Sequence, residues 1–145
     1  MSGDEHEPVE RDDELGKGGD VRLVVPAAPE YLRLVRLTAA GLASRLGFTF
    51  DEVEDLRIAV DELCFHLLGD ADHNGDDPSG DGRTMDLTYS AAADSITITG
   101  RTGASGSVPE PSELSEQILD ALVDEHEVGS DGGMVMFRLK KQRES

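Results

Sequence analysis

The chain has 145 residues and carries 31 acidic side chains against 13 Lys and Arg, a formal net charge of −18 at pH 7. The length fits one domain with a hydrophobic core of its own. Such a charge repels nucleic acid and anionic membrane surfaces, so we expect direct binding to neither and favour a basic partner. The alternative is that the charge serves solubility alone.

The cysteine count and the lack of a long apolar run bear on the compartment. Cys64 is the single cysteine, which excludes an internal disulfide and favours a reducing compartment. It lies in an apolar helical pattern that predicts a buried thiol. The N-terminus has no apolar core, and no run approaches the length that spans a bilayer. We therefore expect a soluble, cytoplasmic protein with no membrane contact.

The charge distribution divides the chain. Residues 1–20 hold eight acidic and two basic side chains and few apolar ones, so we predict a disordered acidic tail. A single domain is predicted over residues 21–141, and residues 142–145 are predicted to be a loose C-terminus. The domain opens with the run VRLVVP at residues 21–26, a predicted strand that Pro26 ends.

The first predicted helix carries a basic cluster. Apolar residues recur at helical spacing over residues 30–46. Arg33, Arg36 and Arg45 then lie on the helix surface. Because guanidinium groups suit carboxylates, these three arginines are candidate partner contacts. The alternative is an ordinary solvated face.

The second predicted helix contains the most prominent polar pair. Thr49 and Glu52 have the Thr-x-x-Glu spacing of a capping box, and an apolar stripe follows as far as Gly69. Glu62 and His66 are one turn apart, so they share a face beside that stripe. A carboxylate there suits a general base. The alternative is that Glu62 belongs to the edge of an amphipathic helix.

The acidic loop at residues 70–81, DADHNGDDPSGD, raises a separate possibility of calcium binding. Its opening fits the Asp-x-Asp-x-Asn-Gly start of an EF-hand loop. However, Asp81 stands at the twelfth position instead of a bidentate Glu, and a strand follows. A calcium-responsive protein is therefore an alternative hypothesis, and no metal site is assigned.

The remaining pattern completes the predicted fold. Two alternating runs predict an antiparallel pair, Ser112 can cap a third helix, and a Gly-rich turn at 129–133 joins two final strands. The predicted elements after the loop are strands 83–90 and 95–99, helix 113–125, a strand from 126 and a strand from 134. This order predicts an α+β two-layer sandwich, with helices on one face of a mixed, mostly antiparallel sheet.

From Val21 to Lys141 the order of elements resembles the GHKL, or Bergerat-fold, superfamily. The match is to the anti-sigma factors of the RsbW and SpoIIAB type, which are HATPase-like serine-protein kinases. The most specific match is DLRIAVDELCFHLL at residues 55–68, which is similar to their N-box helix, and RLKK at 138–141 resembles the end of their last strand. The resemblance implies that Glu62 holds the position of the catalytic base, which activates a serine hydroxyl of a partner.

The nucleotide-binding positions depart from that family. His66 stands where the resemblance implies a Mg²⁺-binding Asn. Gly100 or Arg101 stands where it implies the Asp that binds adenine. Gly103 and Gly106 correspond to the family's glycines.

The phosphate-binding Gly-x-Gly of the family is also missing. Residues 109–115 read PEPSELS, with two acidic residues and no glycine. The sequence therefore predicts a degenerate ATP site, no bound cofactor, and Glu62 as a vestigial base.

The resemblance implies an anti-sigma factor. Such a protein sequesters an alternative sigma factor of RNA polymerase, and an anti-anti-sigma protein of the STAS fold releases it. A homodimer is a further expectation from the family. The alternative is an active serine-protein kinase that phosphorylates the STAS protein with Glu62 as base.

Overall fold

The computed structural model describes residues 20–68, 82–103 and 111–144. The predicted tail as far as residue 19, the loop at 70–81 and Gly106 lie outside these residues. The described elements, in chain order, are β1 (Asp20–Pro26), a 3-10 turn (Pro29–Tyr31), α1 (Leu32–Arg45), α2 (Phe50–Leu68), β2 (Thr84–Ala91), β3 (Ser95–Gly103), α3 (Glu113–Leu122), β4 (Glu125–Asp131) and β5 (Met134–Gln142).

The strands form one sheet in the order β1-β2-β3-β5-β4, and all four pairings are antiparallel. Burial alternates along β5, where Val135, Phe137 and Leu139 are buried and Met134 and Met136 are exposed. Among the described residues, only one face of the sheet is therefore covered, and the helices cover it. This confirms the predicted α+β two-layer sandwich.

The core lies between that sheet face and the helices. Helix α2 contributes an apolar face, which includes Leu56, Val60 and Leu63, because its apolar residues recur at helical spacing. Tyr89 on β2 crosses the layer, and its hydroxyl donates to the Val35 carbonyl of α1 at 3.0 Å. The sheet therefore fixes the position of α1 as well as that of α2.

Strand β3 continues to Gly103, beyond the predicted end at residue 99. The extra residues pair with both β2 and β5, and the Thr102 hydroxyl donates to the Thr84 carbonyl at 2.8 Å. The Gly/Ser/Pro composition after residue 99 predicted a loop, but a central strand with two neighbours overrides that local preference.

Helix α3 ends at Leu122, three residues before the predicted end, because Val123 is already extended at φ −133° and ψ 166°. Strand β4 runs through to Asp131, and the turn shrinks to Gly132 and Gly133. Their φ values of +58° and +84° suit a two-residue hairpin that glycine adopts readily.

The predicted capping box begins α2. The Thr49 backbone N–H donates to Glu52 at 2.8 Å, and the Glu52 N–H donates to the Thr49 hydroxyl at 3.1 Å. The C-terminal residues contact the region where α1 ends and α2 begins. The Glu144 N–H donates to Glu52 at 2.7 Å, and Arg143 Nη1 donates to the Leu46 carbonyl at 3.2 Å. Residues after the predicted domain end at 141 thus contact the helix layer.

Among the described helices, none combines the length and the apolar character that a membrane crossing needs.

Candidate functional site

Glu62 lies on α2, on the side that faces α3. Its Oε2 accepts a hydrogen bond from the Ser115 hydroxyl, which stands on the first turns of α3. Both side chains are partly buried. The carboxylate at the position of the implied base is therefore bound by a serine of its own chain.

Sequence reasoning missed Ser115 because the two residues are 53 positions apart and no local pattern pairs them. The nearest signal was the predicted cap: the Ser112 hydroxyl accepts the Ser115 N–H at 3.0 Å, which confirms that Ser112 begins α3. That cap fixes the helix start and so places Ser115 where it reaches Glu62.

His66 follows Glu62 by one turn and has a partly buried ring. Its Nε2 is buried and has no hydrogen-bond partner among the described residues. Burial lowers the pKa of His66, and the negative charge of Glu62 opposes that shift only in part. The ring is therefore favoured in its neutral form, which is a poor ligand for Mg²⁺, a cation that prefers oxygen.

The first turn of α3 does not suit a phosphate group. Ser112 already caps its N–H groups, and Glu113 and Glu116 stand in the first turn. Acidic residues at this end stabilise the helix, because they complement its dipole. The same negative charges repel an anion that would otherwise bind there.

Gly100 lies on the inner face of β3, and its surroundings leave no space for a side chain. A Cβ atom at this position would lie 2.6 Å from Cε2 of the Phe137 ring and 3.1 Å from Cδ2 of Leu87. Arg101 is exposed on the opposite sheet face, because successive residues of a strand alternate. Neither predicted position can hold an adenine-binding carboxylate next to the helices.

The two remaining predicted nucleotide-binding positions supply no adenine-binding carboxylate either. Gly103 ends β3, and its carbonyl accepts a hydrogen bond from Arg83 Nη1 at 2.9 Å. Gly106 lies outside the described residues. None of the described residues at these positions is the Asn or the Asp that the resemblance implies.

No group of three or more His, Cys, Asp or Glu side chains within residues 20–68, 82–103 and 111–144 could hold a metal ion. The loop at 70–81 lies outside those ranges, so calcium binding there stays a prediction. Cys64 is fully buried, as predicted, and burial raises the pKa of its thiol to about 12. A thiol with that pKa is a packing group and not a nucleophile.

Comparison with known proteins identifies the relatives of this chain. It is 49% identical over 59 residues to the serine-protein kinase RsbW of Bacillus subtilis, a match that covers 39% of this chain and 37% of that protein. It is 40% identical over 78 residues to the serine-protein kinase RsbW of Halalkalibacterium halodurans, covering 54% of this chain and 44% of that protein. No protein-family model matches the chain.

Over the matched segments, the chain is similar to serine-protein kinases of the RsbW type. A third RsbW, from Bacillus pumilus, is 39% identical over 69 residues, which is 43% of its length. The chain thus spans less than half the length of each of these relatives. These matches confirm the predicted RsbW-type resemblance.

The three predicted partner-binding arginines differ in their contacts. Arg36 Nη1 donates to Asp61 Oδ1 at 2.7 Å, and both side chains are partly buried, so this ion pair joins α1 to α2. Arg33 and Arg45 have exposed side chains near the two ends of α1. The predicted cluster therefore consists of one arginine that joins two helices and two arginines that are exposed on the surface.

Apolar side chains flank that ion pair on both helices. Leu34 and Leu37 on α1 are 47% and 54% exposed, and Ile58 and Phe65 on α2 are 48% and 50% exposed. Leu37 adjoins Arg36, and the α2 residues lie one turn to either side of Asp61. We call these four residues the α1–α2 surface. Exposed apolar side chains on two neighbouring helices are a candidate interaction surface.

Proposed function

We propose that this chain is an anti-sigma factor that acts by protein binding without ATP. It sequesters an alternative sigma factor from RNA polymerase, and a STAS-fold anti-anti-sigma protein releases the sigma factor by competition. The relationship to RsbW supports the class of protein. The observation that carries the proposal is the Ser115–Glu62 hydrogen bond, because it fills the position of the implied base with a group of the same chain.

The surroundings of Glu62 support the absence of ATP. Three features each remove a different part of a nucleotide site. The neutral His66 does not suit the metal, the capped and acidic start of α3 does not suit phosphate, and the filled space at Gly100 does not suit adenine recognition. The three features lie on three separate elements. A single substitution would therefore not restore nucleotide binding.

The α1–α2 surface supports protein binding. It offers apolar area between the exposed Arg33 and Arg45, and both kinds of group are typical of binding surfaces. The arginines would contact carboxylates of the sigma factor. The acidic remainder of the protein would attract basic parts of that factor. Since RNA polymerase is its site of action, we place the protein in the cytoplasm.

Affinity purification of the full chain from its own cells, with mass spectrometry of the bound proteins, tests this function. We expect a sigma factor, with or without a STAS protein. The Arg33→Glu variant should lose the sigma factor. The matched control is Arg101→Glu, because Arg101 is equally exposed but lies on the uncovered sheet face. Recovery of neither protein would contradict the proposal.

An active serine-protein kinase is the second candidate function. It is supported by the names of the relatives and by one geometric fact: Glu62 accepts a hydrogen bond from a serine hydroxyl, which is the contact that a base must make. This candidate predicts Mg-ATP binding and phosphate transfer to a STAS protein that stops in Glu62→Ala. Absence of binding at millimolar Mg-ATP would exclude it.

The edge strand β1 supports the proposed homodimer. It pairs only with β2 among the described strands, and Val24 on it is 51% exposed. An apolar edge strand is a template for pairing with a second chain. Light scattering after size exclusion should give twice the monomer mass, and Val24→Lys should shift it towards the monomer. A monomeric wild-type chain would contradict this part of the proposal.

A further inference from the structure

The two halves of α3 are attached to the molecule differently. The C-terminal half is anchored, since Leu119 is buried and Lys141 Nζ donates to the Leu122 carbonyl at 2.7 Å. In the N-terminal half, over residues 113–117, every residue except Ser115 is exposed, and Leu114 is 66% exposed. This half contacts α2 through the Ser115–Glu62 hydrogen bond.

The Ser115 hydroxyl can leave Glu62 without undoing the helix start. The N-cap bond joins the Ser115 backbone N–H to Ser112 and does not involve the Ser115 hydroxyl. Rotation about one side-chain bond therefore frees Glu62 and leaves the cap in place. A partly buried carboxylate then needs another donor, because a buried charge without a hydrogen bond is costly.

We propose that the Ser115–Glu62 hydrogen bond is an internal latch, which holds the N-terminal half of α3 on α2 until a hydroxyl group of a partner protein replaces Ser115. The latch concerns regulation of the site in the function proposed above, and the release step rests on that function. The ligand that the opened site takes is a serine or threonine side chain, since its O–H is the same donor that Ser115 supplies. Partner binding and mobility of α3 are thereby coupled.

Hydrogen exchange on the full chain tests the latch without any partner. Ser115→Ala should speed amide exchange over residues 115–119 by about tenfold, the factor for losing one hydrogen bond to a charged group. Ser115→Thr keeps the hydroxyl and should restore slow exchange. Ser44→Ala, at an exposed position of α1, is the matched control and should change nothing there. Equal exchange in Ser115→Ala and wild type would overturn the latch.

Binding of the STAS protein tests the release step. Without its internal competitor, Ser115→Ala should bind the STAS protein about tenfold more tightly, while its affinity for the sigma factor stays at the wild-type value. Ser115→Thr should bind both like wild type. Unchanged or weaker STAS binding would overturn the release step, as would the lack of any STAS interaction. In that case the exchange experiment still decides on the latch, so failure of the proposed function and failure of the latch give different results.

Discussion

Gly100 lies where neighbouring side chains leave no space for a larger residue. The Phe137 ring and Leu87 fill the space in which a side chain at Gly100 would lie. We expect Gly100→Ala to lower the free energy of unfolding by about 1–3 kcal/mol, the usual cost of overpacking a core. Urea denaturation measures this.

Gly103 supplies the matched control for that substitution. It lies on the same strand, and no atom of the described residues lies within 4 Å of a Cβ atom there. Gly103→Ala should therefore change stability by less than Gly100→Ala. Equal effects of the two substitutions would show that the Phe137 contact does not set the cost.

His66 predicts a pH dependence of stability. Burial lowers its pKa in the folded state below the ordinary value of 6.5, so the unfolded chain binds a proton more readily than the folded one. Stability should therefore fall as the pH drops below about 6.5, and this loss should continue until the folded pKa is reached. Urea denaturation between about pH 5 and pH 8 measures the slope.

Two variants isolate the contribution of His66. His66→Gln should remove the slope, because an amide does not titrate in this range. His126→Gln is the control variant, in which a histidine that contacts Asp120 receives the same replacement. A slope that survives in His66→Gln would assign it to another group.

At the scale of elements, hydrogen bonds of the C-terminal residues stabilise the connection between α1 and α2. Removal of residues 143–145 deletes the hydrogen bonds to Leu46, to Asp94 and to Glu52. We expect the free energy of unfolding to fall by roughly 3 kcal/mol, since each of these three bonds contributes about 1 kcal/mol. Gln142→Ala, which keeps the backbone, should have little effect in the same denaturation experiment.

The effect of that truncation should depend on pH. The N–H groups of Thr49 and then of Glu144 lower the pKa of Glu52 from its ordinary 4.5. A lowered carboxyl pKa stabilises the fold above 4.5, and this stabilisation is lost as the pH falls through the folded value. The difference between full and truncated chains should shrink in acid, and a constant difference would exclude Glu52 as a cause.

Most of the helices and strands could be predicted from the sequence. Helix α2 begins as predicted because the Thr49–Glu52 capping box and the apolar stripe both act within a few residues. The end of β3 was not readable, because its last residues are held by pairing with two other strands. Local signals thus fixed the helix start, and tertiary pairing fixed the strand end.

The candidate site could be predicted from the sequence only in part, because the rest of it depends on tertiary packing. The position of Glu62 followed from the resemblance of its helix to known proteins. Its occupation by Ser115 depends on how α3 packs against α2, which no local pattern contains. Likewise, Arg36 was predicted on the helix surface, but only the packing of the two helices reveals its bond to Asp61.

At the scale of the whole molecule, charge and apolar area make separable contributions to binding. The net charge of −18 acts over distance on basic parts of a partner, whereas the α1–α2 surface acts only in contact. Added salt shortens the Debye length from about 10 Å at 0.1 M to about 3 Å at 1 M, so it weakens the first contribution. It leaves the burial of apolar side chains in place.

Salt titration of the complex with the proposed sigma factor therefore tests the role of the charge. We expect affinity to fall by about tenfold or more between 0.1 M and 1 M salt, chiefly through slower association. Leu37→Ser should weaken binding by the same factor at both salt concentrations, because it removes apolar contact without changing charge. Surface plasmon resonance gives both rates. If 1 M salt left wild-type binding intact, the α1–α2 surface would carry the interaction and the acidity would serve solubility alone.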